Sequence, residues 1–471
     1  MRPGYIPAAP LMPLLDPADS RPVHFVGIAG AGMSALAELL ARRGARVTGC
    51  DSNPGGAADD LRRLGIEVIA GHDPAHVSGA RALVVTSAMP KEHPELAAAR
   101  AAGVAVIRRA EALGEAVGGR TLVGIAGTHG KTTTTVLTTE ALRSASLAPT
   151  GVAGGRVAAW GGNLSAGDDR VFVVESDEYD RSFLALAPTV AVVTNVEADH
   201  LDIYRDLADI RGAFEQFIRG ARHVVLCADD PGATTLRTPA AAEVIRYGID
   251  SADARLVARN VRLAGGGSSF DVAYDGDPLG AVTLRVPGRH NVLNALAAIA
   301  AGLALGATLP SLAPGLRTFS GVERRFQRLG DARGVTVVDD YAHHPTEIRA
   351  TLDAARATFP GRRLVAAFQP HLYSRTRDFA ADFGRALAAA DAVYLTDIYP
   401  ARERPIDGVS SDLIADSLRG SGGDVAWRGD RGDLADALAR AVRDGDVVLT
   451  IGAGDITKTG PELIERLRRG A

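Results

Sequence analysis

The stretch TLVGIAGTHGKTTTT, residues 121–135, decides the reading of the fold. Thr121–Ala126 is apolar enough for a buried strand, and Gly127-Thr128-His129-Gly130 is a turn. Lys131 then opens a helix that runs to about residue 145. A strand that turns through glycines into a helix aims backbone N–H groups and the helix's positive end at one point, where phosphate oxygens bind. In such a loop the lysine, here Lys131, reaches the outer phosphates and the hydroxyl of Thr132 binds Mg2+, with Thr133 following. The full pattern wants glycine five residues before Gly130, and Ile125 stands there, so the loop is a variant. A plain glycine turn capping a helix is the alternative. Against it, the chain has only three lysines, Lys91, Lys131 and Lys458, and one of them sits where the chemistry needs it.

Outward from this loop, residues 171–174 and 190–194 read as buried strands, each ending in polar residues. The first ends in Glu175-Ser176-Asp177-Glu178 and the second in Thr194-Asn195-Val196-Glu197-Ala198-Asp199-His200. Open α/β sheets bind ligands at the carboxyl ends of their strands, and a hard cation takes carboxylates plus phosphate oxygens. Beside a phosphate loop, two such ends point to a metal-assisted phosphate site. Strand-like patches at 257–263 and 270–273 precede a helix from Asn291. Asn291 in Arg289-His290-Asn291 is a helix cap on local grounds. With six asparagines in the whole chain, nucleotide contact is the other reading.

Toward the N-terminus, short strands at 23–28, 46–50, 67–70, 82–86 and 104–107 alternate with helical stretches, as in a parallel sheet with crossover helices. Gly30-Ala31-Gly32-Met33-Ser34-Ala35 fits G-x-G-x-x-A after the first strand, and Asp51 lies 21 residues past Gly30 at the end of the second. That spacing fits a diphosphate with a ribose attached. NAD is the default ligand on these residues alone, and they do not specify the nucleotide. Toward the C-terminus the alternation resumes, with strands at 335–338, 364–368, 393–396 and 447–451. The first ends in Asp339-Asp340-Tyr341-Ala342-His343-His344-Pro345-Thr346-Glu347, and the next in Phe368-Gln369-Pro370-His371-Leu372-Tyr373-Ser374-Arg375. Histidines beside an aspartate suit polar substrate contacts or proton transfer, and arginines suit carboxylate or phosphate. Helix capping and surface ion pairs explain the same residues singly.

The whole chain has 471 residues, 46% hydrophobic, which allows about three domains. The expected boundaries are 1–118, 119–320 and 321–471, each an α/β unit: a Rossmann-like first domain, a central phosphate-loop domain and a Rossmann-like third. With 52 basic and 56 acidic residues the net charge is −4, without the basic surplus of a nucleic-acid binder. Two cysteines, Cys50 and Cys227, exclude a disulfide scaffold and suit a reducing compartment. Pro3, Pro7, Pro10 and Pro13 break up the opening stretch, so no export signal is expected. The apolar run at 295–307 is too short to cross a bilayer. The expectation is a soluble cytoplasmic protein.

Taken together, the motifs resemble those of the ATP-dependent Mur ligases of peptidoglycan synthesis. GIAGAGMS (27–34), AGTHGKTTTT (126–135), ESDEYD (175–180), TNVEADHLD (194–202), PGRHNVLNA (287–295), FSGVERRF (319–326), DDYAHHPTE (339–347) and FQPHLYSRT (368–376) occur in that family's order. The resemblance implies that L-alanine is joined to the lactyl carboxylate of UDP-N-acetylmuramate at the cost of ATP, through an acyl phosphate, in cell-wall biogenesis. A recycling ligase that adds a tripeptide is the alternative within the family. A dehydrogenase or a non-catalytic nucleotide-binding regulator are alternatives outside it. It further implies Mg2+ and no NAD, no nucleic-acid partner, no membrane insertion, and a monomer or homodimer.

Carried over residue by residue, the resemblance gives the uridine diphosphate sugar to Gly30, Ala31, Gly32, Met33, Ser34, Asp51, His72 and Ser87. ATP goes to Gly127, Thr128, His129, Gly130, Lys131, Thr132, Thr133, Asn291, Arg325 and Asp340. Thr132, Glu175 and His200 hold metal, and Tyr341, His343, His344, His371 and Arg375 line the amino-acid side. Lys131, Glu175, His200, His344 and Arg375 are the expected catalytic set. Many relatives carry Arg where this chain has Leu372, which shifts carboxylate recognition to Arg375. Several relatives use a carbamylated lysine near the position of Glu215, and no lysine lies between Lys131 and Lys458 here.

Overall fold

A computed structural model describes residues 14–86 and 89–470. The opening segment through residue 13 and the candidate Ser87 lie outside the described residues. The chain has a three-domain α/β architecture with three sheets. The described residues pack as two compact units, one within 14–257 together with 295–315, the other within 258–294 together with 316–470.

The first unit holds two sheets. Strands β1 (Val23–Val26), β2 (Val47–Asp51), β3 (Glu67–Ala70), β4 (Ala82–Val85) and β5 (Ala105–Arg108) form a parallel sheet in the order β3-β2-β1-β4-β5. The order reverses at β1, so the turn after β1 opens at the switch point where such sheets bind ligands. The second sheet contains β6 (Thr121–Ala126), β7 (Thr150–Val157), β8 (Gly162–Ser165), β9 (Val171–Glu175), β10 (Val190–Val193), β11 (His223–Cys227) and β12 (Glu243–Gly248). Their order is β12-β11-β10-β6-β9-β7-β8. β6 therefore lies between β9 and β10, in parallel with both, and the three polar strand ends meet. One core runs through both sheets, including Phe25, Leu36, Leu113, Phe172, Phe183 and Phe214.

The helix Lys131–Ser144 is unusual in composition: Thr132, Thr133, Thr134, Thr135, Thr138 and Thr139 are all buried. Thr138 and Thr139 turn their hydroxyls back onto the carbonyls of Thr134 and Thr135, at 2.7 and 2.8 Å. These two buried hydroxyls are thus satisfied inside the helix itself.

β13 (Leu256–Ala264) begins in the first unit, where its first residues pair with β12, and continues into the second. There β14 (Gly267–Tyr274) and β15 (Asp277–Leu284) form an antiparallel hairpin; the sequence reading had patches for β13 and β14 and none for β15. The third sheet comprises β16 (Gln327–Ala332), β17 (Val335–Asp340), β18 (Leu364–Phe368), β19 (Ala392–Thr396), β20 (Val425–Gly429) and β21 (Val447–Ile451), in the order β16-β17-β21-β18-β19-β20. Only β16 runs antiparallel. β17, β18 and β21 are buried throughout, as expected for strands covered on both faces. Among the described residues no helix is long and apolar enough to cross a membrane.

Candidate active site

In the first unit, β6 delivers the chain to Gly127 at φ 134° and Gly130 at φ 80°, both conformations that favour glycine. At Gly127 the space is closed as well: a Cβ would lie 2.0 Å from Thr194 Oγ1. The loop is latched from β10. Asn195 Oδ1 accepts the His129 N–H at 2.7 Å, while Asn195 Nδ2 and Thr194 Oγ1 donate to the His129 carbonyl at 3.2 and 2.6 Å. Glu197 N donates to Thr128 Oγ1 at 2.9 Å, and His129 Nε2 stands 3.5 Å from Glu197.

Lys131 does not extend into solvent. Its Nζ donates to the carbonyls of Gly127 and Thr128 at 2.7 and 3.1 Å and bridges both oxygens of Glu178, at 3.0 and 2.8 Å. Burial works against the ammonium, yet Glu178, Asp177 and Glu175 outweigh it and hold the Lys131 pKa above its ordinary value. Burial raises the Glu178 carboxyl to about 7, against the pull of Lys131. Thr132 Oγ1 donates to Glu175 Oε1 at 2.9 Å, and Glu175 Oε2 accepts the Gly154 N–H. Burial also raises the Glu175 pKa. Gly154 is required by this approach, since a Cβ there would meet Glu175 Oε1 at 2.6 Å.

His200 sits in a left-handed conformation at φ 52°, a strained state for a side-chain-bearing residue. Its Nε2 lies 3.8 Å from Glu178 and 3.8 Å from Asp199, with its ring edge-on to Tyr179. Asp177, Glu178 and His200 place one ligand atom each within 4.8 Å of the others. The donors gathered here are carboxylates, a hydroxyl and one imidazole, a set that fits a hard divalent cation such as Mg2+.

The turn after β1 is built differently. Gly30 precedes the helix Ala31–Arg42, which has no side-chain cap. Asp51 ties the turn down: Oδ2 accepts the Ala29 N–H at 3.0 Å and Oδ1 that of Asn53 at 2.9 Å. Ser34 donates to the Ala31 carbonyl at 3.1 Å. Met33 is 3% exposed and packs in the core, so only its backbone is available to a ligand. The Arg109 guanidinium lies against Gly32, 2.8 Å from where a Cβ would stand. His72 points both ring nitrogens at protein groups, Nε2 to Ser52 Oγ at 3.1 Å and Nδ1 to Cys50 Sγ and Glu95, each at 3.3 Å.

In the second unit, β17 ends in Asp340, whose carboxylate accepts the N–H groups of Phe326 at 2.7 Å and Ala342 at 2.8 Å. Burial raises its pKa to about 6, opposed by Arg325. Arg325 reaches Glu347 at 3.5 Å and lies over the Tyr341 ring. His344 caps the helix Pro345–Thr358, with Glu347 accepting the His343 N–H at 3.0 Å. His343 Nδ1 contacts the Tyr341 carbonyl at 3.1 Å, and its ring lies 6.1 Å from that of His371. His371 stacks on Tyr399, and its Nδ1 is 3.5 Å from the buried Arg375. Leu372, between them, is buried with φ 71°. Asn291 is 6% exposed and spends its amide on the Pro287 carbonyl at 2.7 Å, while its oxygen accepts Asn294 at 3.3 Å.

Three models of the Mur ligases match consecutive parts of the chain. The catalytic-domain model covers residues 22–121, the middle-domain model 125–302, and the glutamate ligase domain model 324–454. A UDP-N-acetylmuramate–L-alanine ligase of Streptomyces avermitilis is 44% identical over 98% of this chain and 100% of its own. One of Kineococcus radiotolerans is 47% identical over 94% and 96%. The crystal structure of the Thermotoga maritima UDP-N-acetylmuramate–alanine ligase superposes with TM-score 0.81 at 30% identity, covering 96% of this chain and all of that one. The chain belongs to the Mur ligase family.

Within this Mur ligase, the glycine loop, Thr132, Glu175 and His200 gather at the ends of the adjacent strands β6, β9 and β10. In the other unit Tyr341 and His343 follow β17 while His371 and Arg375 follow β18, the two strands that flank β21. Sequence reasoning missed four residues that shape the site. Glu178, quoted only as one of several acidic residues, is the partner of Lys131. Asn195 latches the loop, and its rarity was the available signal. Gly154 sits in a Gly-Gly pair that marks a close approach, and Arg109 has no sequence signal pointing to Gly32. Glu215 forms an ion pair with the exposed Arg237 at 2.7 Å.

Proposed function

We infer that this Mur ligase joins L-alanine to UDP-N-acetylmuramate in an ATP-dependent reaction. Support comes from full-length identity to relatives of that one activity, together with the Lys131–Glu178–Glu175–Thr132 grouping at the phosphate loop. Residues 1–118 take the uridine diphosphate sugar on the Gly30–Ser34 turn, with Asp51 and His72, and with Ser87 on the resemblance alone. Residues 119–320 take Mg·ATP, and residues 321–471 the amino acid. The reaction runs in the cytoplasm, on a monomer or homodimer.

Each residue has a task in this scheme. The backbone N–H groups of residues 130–133, at the start of the helix, cradle the phosphates. Gly127, Thr128 and His129 complete the loop around them, with the N–H groups of Thr128 and His129 held by Asn195. Lys131 exchanges its carbonyl and carboxylate partners for the γ-phosphate, whose charge would otherwise repel the incoming lactyl carboxylate. Thr132, Glu175 and His200 are the proposed metal holders, with Glu178 beside them; when bound, Mg2+ neutralises the phosphate oxygens. The carboxylate oxygen attacks the γ-phosphorus, the bond to the bridging oxygen of ADP breaks, and an acyl phosphate forms. The neutral amine of alanine attacks the acyl carbon, the carbon–oxygen bond to phosphate breaks, and the amine gives up a proton. Arg375 and His371 face the amino-acid carboxylate, with Tyr341, His343 and His344 around them. Arg325 and Asp340 serve the ATP, and Asn291 the adenine.

Acid labelled with heavy oxygen in its carboxylate decides the matter. The expected result is one labelled oxygen in the phosphate released per amide formed; unlabelled phosphate overturns the scheme. ADP release measured with alanine against a tripeptide substrate separates this reading from the recycling activity, with alanine expected to prevail.

A further inference from the structure

A second cluster of chemistry-bearing side chains lies in the first sheet, away from the phosphate loop. Four of the chain's 11 histidines, His24, His72, His76 and His93, and one of its 2 cysteines, Cys50, converge on Glu95. Glu95 is 0% exposed. A buried carboxylate needs a positive partner, and no lysine or arginine pairs with it among the described residues; its partners are the histidines, the thiol and the Asp73 N–H at 3.3 Å. The strands explain the convergence. His24 on β1 is in register with Thr48 on β2, so Cys50, two residues on, shares its face of the sheet. His76 enters from the turn Pro74–Val77, and Glu95 from the first turn of the helix Pro94–Ala101.

The geometry is that of a closed ligand set. Glu95 Oε1 lies 2.9 Å from His76 Nδ1 and 3.2 Å from Cys50 Sγ. One ligand atom from each of His24, Cys50, His76 and Glu95 falls within 4.8 Å of the others. Bonds of about 2.0–2.3 Å in a tetrahedral zinc site imply ligand–ligand edges of roughly 3.3–3.7 Å, so small shifts close the set. A separate observation points the same way. His24 is 1% exposed, and its Nε2 has no hydrogen-bond partner among the described residues. Its Nδ1 meets Thr48 Oγ1 at 2.9 Å, the outer contact that orients a metal-binding imidazole. A buried nitrogen left bare costs free energy, and a cation would satisfy it.

We propose that His24 Nε2, Cys50 Sγ, His76 Nδ1 and Glu95 form a closed four-ligand site for a zinc-class divalent cation in the sugar-nucleotide domain. Sulfur and imidazole donors select zinc or cobalt over magnesium. With all four positions filled by protein the ion is structural, tying β1, β2, the 74–77 turn and the helix Pro94–Ala101 together. Binding releases the Cys50 thiol proton to solvent.

The test uses the full-length chain, stripped with a chelator and titrated with Co2+ in the presence of Mg2+. The expected result is one equivalent of cobalt bound with a thiolate-to-cobalt absorption band, which Zn2+ removes by displacement. Cys50→Ser loses the band and Cys227→Ser keeps it, as does Glu178→Gln at the phosphate site. Should Cys50→Ser fail to fold, His76→Gln decides, with cobalt affinity expected to drop at least about tenfold. A wild-type chain that shows no thiolate band, a band unchanged by Cys50→Ser, or an affinity unchanged by His76→Gln overturns the proposal.

Discussion

The turns at residues 27–34 and 127–133 follow the same backbone plan. Each leaves a buried strand, passes through glycines and enters a helix without a side-chain cap. Their surroundings differ. The first is held by one carboxylate, Asp51, on a backbone N–H, and its own side chains carry no charge. The second is latched by Thr194 and Asn195 and lined by Lys131, Thr132, Glu175 and Glu178. Backbone N–H groups suffice to hold a diphosphate that does not react. Moving a phosphoryl group requires charges that can be rearranged around it. The difference between the two turns is therefore one of side chains, not of fold.

The sharpest way to break this comparison is Lys131→Ala. ADP release should fall by about 10²–10³ or more, with binding of the UDP sugar, measured by calorimetry, unchanged. Gly127→Ala comes next. A Cβ clashing with Thr194 Oγ1 at a left-handed φ should cost about 1–3 kcal/mol, read as weaker ATP binding with the sugar site intact. Asp51→Ala is the converse, with an expected loss of roughly tenfold in UDP-sugar affinity and none for ATP; a selective loss of ATP affinity would reverse the assignment of the two turns.

A fourth measurement concerns pH. The folded-state pKa of Glu178, about 7, stands above its ordinary value of 4.5. The folded protein thus holds this proton more tightly than the unfolded chain does. The stability Glu178 contributes is present below 4.5 and lost as pH rises through 7. The melting temperature of the unliganded wild type relative to Glu178→Gln should fall across that window, and a flat difference would refute the shift. Smallest is Gly32→Ala: the nearest atom is the mobile tip of Arg109, so UDP-sugar affinity should drop only about two- to threefold.

Much of this was legible in the sequence because it is local. Strand, glycine turn and Lys131 occupy consecutive residues, and so do Asp340 through Glu347. What escaped depends on contacts between strands. In Glu175-Ser176-Asp177-Glu178 nothing local tells which carboxylate turns toward Lys131; β9 ends at Glu175, and the turn beyond it carries Glu178 to the ammonium. β7 was passed over because Gly151, Gly154 and Gly155 dilute its apolar pattern, yet Gly154 is what lets Glu175 approach. Rarity drew notice to Asn291, which the structure ties to Pro287, whereas the equally rare Asn195 latches the loop. His24, Cys50, His76 and Glu95 are 19 to 26 residues apart in the chain, a spacing with no period of its own, and only sheet register brings them together.

The threonine run behind Lys131 has a consequence for how the enzyme is made. Threonine is among the weaker helix formers, and a segment of this length is marginal alone in water. A synthetic peptide spanning residues 127–145 should therefore be a coil. The proposed nucleotide cradle then forms only once neighbouring strands have closed over those methyl groups, so on the nascent chain the ATP affinity proposed for it should arrive with the finished domain rather than ahead of it.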